Sequence, residues 1–313
     1  MLKCAGRFFL YLFMNQKTSY TKAYQNASAL VQLLLSRGLQ IDDTMKAELY
    51  LKTISYYRLS AYMHPLLSQP KSANHFKPGS TFQQVMKLYR FDKKLRLLVF
   101  NEIEKIEIAV RTAIIDECSV VFGTPFWMTD CSFYVDVSKF QKTLALIDVE
   151  MKKSREDFIV HFLETYTDAY PPAWILSEIL PLGTITNIFT NLRNKQVKKR
   201  VAQRFGLQPP VFNSWMTVIT LTRNCCCHHA RMWNKRNTIT PMPPRKLSNP
   251  WITLSTDSLR VYYDLCIIKY FLNIISPGND MHGKLKSLLS QFPMVDIVAM
   301  GFPEQWETEL LWQ

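Results

Sequence analysis

The sequence predicts a mainly α-helical protein, and three observations support that prediction. Long segments repeat apolar residues every three or four positions, as an amphipathic helix does. No convincing run alternates apolar and polar residues in the way a half-buried strand would. Gly and Pro fall mostly between the periodic segments, where helices end. With 313 residues, of which 48% are apolar and 13% aromatic, the chain can bury a substantial core.

Two helices are predicted before a loop at 65–78, which is rich in Pro, Ser, Gln and Asn. The first covers 28–37 and ends at Gly38, a common residue just after a helix. Asp42 or Asp43 can cap the second helix by accepting a hydrogen bond from its first turn. The apolar side of this second helix would hold Met45, Leu49, Tyr50 and Ile54.

A long helix is predicted from Phe82 to about Val121, with Thr81 as its cap. Its apolar positions define a buried stripe of Leu88, Leu95, Val99, Ile103, Ile106, Val110 and Ile114. The chain breaks at 123–127, and further helices are predicted at 140–166, 257–275 and 284–291, with a short apolar element at 174–180.

The charge balance favours a polyanionic partner such as RNA. The chain carries 38 Lys and Arg against 25 Asp and Glu, a formal net charge of +13. The most basic run, 187–204, contains no acidic residue, and we expect it to contact the RNA backbone; an ordinary solvated helix face is the alternative. Its candidate RNA-binding residues are Arg193, Lys195, Lys198, Lys199 and Arg200.

Cysteine usage and hydropathy favour a cytoplasmic protein. The seven cysteines are odd in number and follow no disulfide spacing, which suits a reducing compartment. No run reaches the roughly 20 apolar residues that cross a bilayer. The apolar run 8–14 follows Lys3 and Arg7, but no small-residue cleavage site comes after it, so a signal peptide is disfavoured.

The segment 221–237 contains Arg223, Asn224 and His228 in the spacing Arg-Asn-x-x-x-His. No Pro or Gly interrupts 213–240, so we expect a single helix through this segment. At 100° per residue, one face of that helix would hold Asn224, His228, Arg231 and Lys235. Arg223 would stand about 100° from Asn224, and its long side chain could reach the same ligand.

Arginine and histidine together supply what cleavage of a phosphodiester requires. A guanidinium forks onto phosphate and stabilises developing negative charge, while an imidazole titrates near neutrality and can move a proton. The spacing by itself is weak evidence, because a basic solvated face or a core helix with ordinary histidine partners gives the same pattern. Cys225, Cys226 and Cys227 beside the histidines do not predict zinc, since consecutive helical residues diverge and no second Cys-x2-Cys cluster is present.

Four segments resemble one protein family. Arg-Asn-x-x-x-His-His-x-Arg-Met-Trp-Asn-Lys-Arg, at 223–236, resembles the signature of HEPN ribonucleases, specifically the bacterial Abi-like (abortive infection, AbiD/AbiF) family. Tyr-Tyr-Arg-Leu-Ser-Ala-Tyr at 56–62 is similar to a segment near the start of that family, and 104–111 is similar to its central helix. Gly301-Phe302-Pro303, with Trp306 and Trp312, resembles its C-terminal end. The resemblance covers roughly residues 18–313.

The resemblance implies a HEPN-like helical bundle core at 81–240, between helical regions at 18–80 and 241–313. All of 18–313 would form one compact unit. Residues 1–17 would be an N-terminal extension, and Met14 is a candidate start. The resemblance also implies a metal-independent reaction that needs no cofactor, at a composite site formed by a homodimer.

In the implied reaction, the RNA 2′-hydroxyl attacks the adjacent phosphate and leaves a 2′,3′-cyclic phosphate and a 5′-hydroxyl. His228 would be the general base or acid, and Arg223 would bind the phosphate. Asn224 would orient either the imidazole of His228 or the phosphate. The possible supporting residues are His229, Arg231 and Arg111, and Lys235 and Arg236 would help to bind RNA.

The family resemblance implies antiphage defence or toxin-like growth arrest, with a small structured RNA as a possible regulator. Two other classes stay open. The protein could be a non-catalytic RNA-binding module that holds such an RNA, or a helical interaction protein that binds no RNA.

Overall fold

The computed structural model describes residues 19–313, and the predicted extension at 1–17 lies outside the described residues. Residues 19–313 form twelve α-helices and no β-strand, which confirms the predicted mainly α-helical fold. In chain order the helices are α1 (Ala27–Ser36), α2 (Thr44–Ile54), α3 (Tyr56–Met63), α4 (Phe82–Phe122), α5 (Val137–Lys153), α6 (Asp157–Thr165), α7 (Ala173–Ile179), α8 (Leu182–Asn191), α9 (Lys195–Arg204), α10 (Pro209–Cys227), α11 (Val261–Ile275) and α12 (Met281–Gln291).

The described chain forms two compact units, one up to Met86 and the other from Lys87 to Gln313. In the first unit the Asp43 carboxylate caps α2 by accepting a hydrogen bond from the Lys46 N–H at 2.9 Å, as one of the two predicted caps. The predicted apolar side of α2 is wrong for Met45, which is 83% exposed, and for Leu49, which is 58% exposed. The inward face of α2 holds the buried Ala47 and Leu51 together with the half-buried Tyr50 and Ile54, both of which were predicted.

Helix α4 follows the prediction closely. It begins at the predicted Phe82 and ends at Phe122, one residue beyond the predicted end. Every residue of the predicted stripe is buried, from Leu88 to Ile114. This 41-residue helix supplies side chains to the site described below, so its register decides which of its polar groups face inward.

The predicted helix at 140–166 is in fact two helices, α5 and α6, separated at 154–156. Ser154 has an extended backbone, and its hydroxyl accepts a hydrogen bond from the Glu156 N–H at 3.3 Å. Serine competes for backbone hydrogen bonds in this way, which favours a turn over a continued helix.

The core of the second unit lies around α8, α10 and α11. Helix α10 packs against α8, α9 and α11, and α11 is buried along most of its length. An aromatic cluster joins these helices, with Phe212 of α10 5.1 Å from Phe189 and 5.4 Å from Phe205, measured between ring centroids. These aromatic contacts anchor the N-terminal part of α10 in the core of the second unit.

The C-terminal segment packs on the start of α11. The ring centroids of Trp306 and Trp312 lie 5.1 Å apart, and the indole N–H of Trp312 donates a hydrogen bond to the Tyr262 hydroxyl at 3.2 Å. Gly301 has φ of +93°, and a Cβ there would lie 2.5 Å from the Cβ of Arg260. Only glycine fits both that backbone conformation and that close approach.

Candidate active site

Helix α10 ends at Cys227, so the predicted single helix through 213–240 is wrong. The His229 N–H donates to the Cys226 carbonyl at 3.1 Å, and the Ala230 N–H donates to the Cys225 carbonyl at 2.9 Å. His229 between them has φ of +53°. This pair of bonds around a left-handed residue is a Schellman motif, which satisfies the last carbonyls of a helix and turns the chain away.

The loop after α10 is held by a buried ion pair from α4. The Asp92 carboxylate, fully buried, accepts hydrogen bonds from the backbone N–H groups of Met232 at 3.1 Å and Trp233 at 2.6 Å. Arg96 donates to Asp92 and, at 3.1 Å, to the Ala230 carbonyl. These bonds explain why α10 ends at Cys227, because they satisfy backbone groups that a continued helix would otherwise have paired.

Because the helix ends there, the predicted polar face is shortened to two residues. Asn224 and His228 still lie one turn apart, and the His228 N–H donates to the Asn224 carbonyl at 3.0 Å. Arg231 and Lys235 lie in the loop, so they do not continue a helical face. His228 and His229 are both exposed, and Arg231 is half-buried.

Arg223 is anchored by a carboxylate on α4. Its Nε lies 3.6 Å from Oε2 of Glu107 and has no hydrogen-bond partner within the described residues, while the side chain as a whole is 29% exposed. Glu107 also binds Arg111, whose Nη2 donates to Oε1 at 3.0 Å. The other terminal nitrogen of Arg111 donates to the Leu180 carbonyl at 3.0 Å. One carboxylate therefore lies between Arg111 and Arg223 and restricts both guanidinium groups.

A cavity of about 280 Å³ adjoins the motif, and Asn224 and His228 line it together with Asp264. Arg223, on the neighbouring side of α10, is not among its lining residues. Cys225 also lines it, while Cys226 is buried, and burial raises the pKa of the Cys226 thiol to about 12. A thiol with so high a pKa stays protonated at neutral pH and packs as a small apolar group.

Several of the candidate RNA-binding cations already bind protein groups. Arg200 donates a hydrogen bond to the Glu117 carboxylate at 2.5 Å, and Arg204 donates to the same carboxylate at 2.8 Å. Arg204 also donates to Asp116 at 3.1 Å. Burial raises the pKa of Glu117, but the hydrogen bonds from these two arginines outweigh it, so the pKa lies below its ordinary value. The basic run is thus partly neutralised by α4.

The remaining candidate RNA-binding residues divide into cations that bind protein groups and cations that are exposed. Arg193 donates to the Tyr134 carbonyl at 2.9 Å, Lys198 donates to the Thr190 carbonyl at 2.7 Å, and Arg236 pairs with Asp257. Lys195, Lys199 and Lys235 are exposed, and within residues 19–313 no ion pair holds them. These three remain available to a polyanion.

Sequence reasoning missed three carboxylates that organise the site, although each left a signal. Asp92 follows Leu88 by four residues and so falls on the predicted buried stripe of α4. Glu107 precedes Arg111 by one turn, and Asp264 interrupts an apolar helix. The structure also contains a groove of about 680 Å³ lined by the four cations Lys87, Arg90, Lys93 and Lys94 together with Phe292 and Met294.

Comparison with known families places the chain. The model of the Abi-like protein family matches residues 49–234, and the chain belongs to this family. The match includes Tyr56–Met63, the start of α4 through Arg111, and Arg223 to His228, while the C-terminal resemblance at 301–312 lies beyond it. Family membership implies a role in abortive infection, an antiphage defence. No curated protein and no solved structure matches the chain in the corresponding comparisons.

Residues 19–313 lack two features, a membrane-spanning helix and a metal-binding cluster. No helix there is long and apolar enough to cross a membrane. No three His, Cys, Asp or Glu side chains in that part of the chain lie close enough together to hold a metal ion.

Proposed function

We propose that this Abi-like protein is an endoribonuclease of the HEPN type, acting in the cytoplasm to arrest an infected cell. The observation that carries the proposal is the end of α10, where the exposed His228 follows Arg223 by five residues and lies beside a cavity. Arg223 is held from α4 by Glu107, so its guanidinium is restricted before any substrate arrives. Such preorganisation is what makes a cationic group effective at a developing negative charge.

In the proposed reaction, His228 removes the proton from a ribose 2′-hydroxyl, and that oxygen attacks the adjacent phosphorus. The bond from phosphorus to O5′ breaks, and the departing oxygen takes a proton from a second acid. The products are a 2′,3′-cyclic phosphate and a 5′-hydroxyl. Arg223 binds the phosphate and stabilises the charge that develops on its oxygens.

The reaction needs an acid as well as a base, and the motif occurs once in the chain. We therefore propose a homodimer in which His228 of one protomer acts as base and His228 of the other acts as acid, with both Arg223 side chains on the phosphate. Asn224 lies one turn before His228 and orients the imidazole, while Arg111 fixes Arg223 through Glu107. His229 gives the helix its turn, so its support is structural.

The test compares the wild type with Arg223→Ala and His228→Ala on end-labelled RNA in EDTA. The proposal predicts cleavage by the wild type and a loss of at least about 100-fold in each variant, since one general base or one charge-stabilising group contributes about that much or more. Arg155→Ala and His161→Ala are matched controls, because both side chains are exposed and lie outside the motif. Full activity in His228→Ala would refute the proposal.

A second candidate function is a non-catalytic RNA-binding module that holds a structured small RNA. The groove lined by Lys87, Arg90, Lys93 and Lys94 favours it, because four cations beside the half-buried ring of Phe292 suit a phosphate backbone. The same experiment separates the two candidates. If wild type and both variants bind RNA with equal, salt-sensitive affinity and none cleaves it, the module is the correct description.

A further inference from the structure

The cavity beside the motif has a polar group at its wall that the proposed reaction does not use. Asp264 lies in the first turn of α11 and is only 4% exposed. Its Oδ2 accepts a hydrogen bond from the Asn237 amide at 2.7 Å. Its Oδ1 is buried and has no hydrogen-bond partner among residues 19–313. A buried acceptor without a partner costs stability, and Asp264 lines the cavity, so a ligand in the cavity that donates to this carboxyl group would offset that cost.

The surroundings of Asp264 are unusual for a carboxyl group. Burial raises its pKa to about 7, although the hydrogen bond from Asn237, the charge of Lys235 and the nearby Thr222 hydroxyl act in the opposite direction. A buried carboxyl beside a cavity, with a pKa moved this far, is a common property of functional sites. Its nearest neighbours on α11 are apolar or aromatic, and its Oδ2 accepts from Asn237 in the loop after α10.

The remaining walls restrict what could bind there. Apolar side chains form much of the lining, including Val218, Leu221 and Val261. Lys235 and Asn237 add hydrogen-bond donors, and Asn224 and His228 connect the cavity to the motif. A cavity of about 280 Å³ is smaller than the sites that hold drug-sized ligands, so it suits one flat ring system.

We propose that this cavity binds a guanine base of the RNA substrate, with Asp264 accepting hydrogen bonds from the edge of the base; the proposal rests on the proposed ribonuclease function. Guanine presents a ring N–H and an amino group beside a carbonyl oxygen. Asp264 accepts from the two donors, and Lys235 donates to the carbonyl oxygen, as lysine does on guanine elsewhere. The apolar walls pack against the faces of the ring. The phosphate next to this guanosine is thereby presented to His228.

The test uses four RNA oligonucleotides that differ only in the base at one position, cleaved by the wild type, Asp264→Asn and Asp168→Asn. Asp168 is an exposed carboxylate of the same type and serves as the matched control. The wild type and Asp168→Asn should cut the guanine oligonucleotide at least about 10-fold faster than the others, since a good base contact contributes this much. Asp264→Asn should lose that preference, with cleavage at guanine reduced to the level of the other bases.

The outcomes separate this proposal from the ribonuclease itself. Cleavage at equal rates beside all four bases would overturn the guanine site and leave the nuclease intact. If no RNA is cleaved, calorimetric titration with guanosine 5′-monophosphate still tests the cavity: the wild type should bind it at least about 10-fold more tightly than Asp264→Asn does. Equal binding by the two proteins would overturn the guanine site.

A free nucleotide could offer the same edge as the RNA base. Guanosine 5′-monophosphate should therefore inhibit cleavage of the guanine oligonucleotide competitively, because both occupy one cavity. Binding of the nucleotide with no effect on cleavage would assign the cavity to a separate nucleotide and overturn the substrate role. Thermal unfolding of Asp264→Asn confirms folding, and the removal of a buried charge favours the folded variant.

Discussion

Two basic regions of the second unit, α9 and the end of α10, differ in how closely carboxylates of the protein pair with their cations. In α9 the sequence shows its densest positive charge, but Arg200 and Arg204 are bound by Glu117. At the end of α10 the positive charge is sparser, yet His228 is exposed and Arg223 has a single, longer contact to Glu107. The density of charge along a sequence therefore does not measure the charge that is available to a ligand. What decides is how closely the carboxylates of the fold pair with each cation.

The largest expected effect on stability is at the anchor of the α10 end. Asp92→Ala should lower the free energy of unfolding by about 3–5 kcal/mol, because it removes the carboxylate that pairs with the buried Arg96 and accepts hydrogen bonds from two backbone N–H groups. Denaturant unfolding measures this. Asp116→Ala, on the same helix but half-exposed, should change stability by less than about 1 kcal/mol. Equal effects of the two substitutions would mean that Asp92 does not hold the loop.

The next effect depends on pH and concerns Asp264. Its folded pKa of about 7 lies above its ordinary value of 3.8, so between these values the folded state binds more protons than the unfolded state. Stability should consequently fall as pH rises from about 4 to about 7, by up to about 1.4 kcal/mol per pH unit. Asp264→Asn cannot titrate, so its advantage over the wild type should grow over this range.

Denaturant unfolding of both proteins at pH 5, 6, 7 and 8 measures the difference. Lys235 and His228 line the same cavity and are present in both proteins, so the difference isolates the carboxyl group. A constant difference at all four pH values would contradict the raised pKa.

A smaller effect is expected at the carboxylate that neutralises α9. Glu117→Gln should lower stability at pH 7 by about 1 kcal/mol, since both guanidinium partners are about 40% exposed and water screens them. The pKa of Glu117 is lowered, so its contribution is present above its ordinary value of 4.5 and is lost as pH falls. The difference between variant and wild type should therefore shrink at pH 3.5; a difference that grows there would refute the ion pairs.

The smallest expected effect compares two neighbouring cations of α9. Lys199 is exposed and held by no carboxylate within the described residues, whereas Arg200 binds Glu117. Lys199→Ala should weaken binding to single-stranded RNA a few-fold and reduce the slope of log affinity against log salt by about 0.7. Arg200→Ala should leave that slope nearly unchanged. A larger change for Arg200→Ala would reverse the comparison between paired and available charge.

The fold was largely predictable because local spacing encodes it. The buried stripe of α4 could be assigned residue by residue, since periodicity alone identifies an inward face. The end of α10 was not predictable in this way. Its left-handed cap is a histidine where glycine is usual, and its anchor Asp92 lies 140 residues before the backbone it holds.

The candidate site was predictable only in its residue types. The spacing of Arg223 and His228 indicated phosphate chemistry, but the partners that restrict Arg223 come from another helix. Asp264 lies at the cavity because α11 packs beside α10, and no local sequence pattern predicts that packing. Long-range packing therefore determined what the spacing could not.

The proposed transesterification is tested most sharply with one RNA oligonucleotide and a copy with a single 2′-deoxy substitution at the cleaved nucleotide, incubated with the protein in EDTA. The all-ribose strand should be cut to a 2′,3′-cyclic phosphate and a 5′-hydroxyl, while the substituted strand stays intact at that position. His228→Ala should cut neither strand. Cleavage of the substituted strand at the same position would rule out this reaction, because the attacking hydroxyl is then absent.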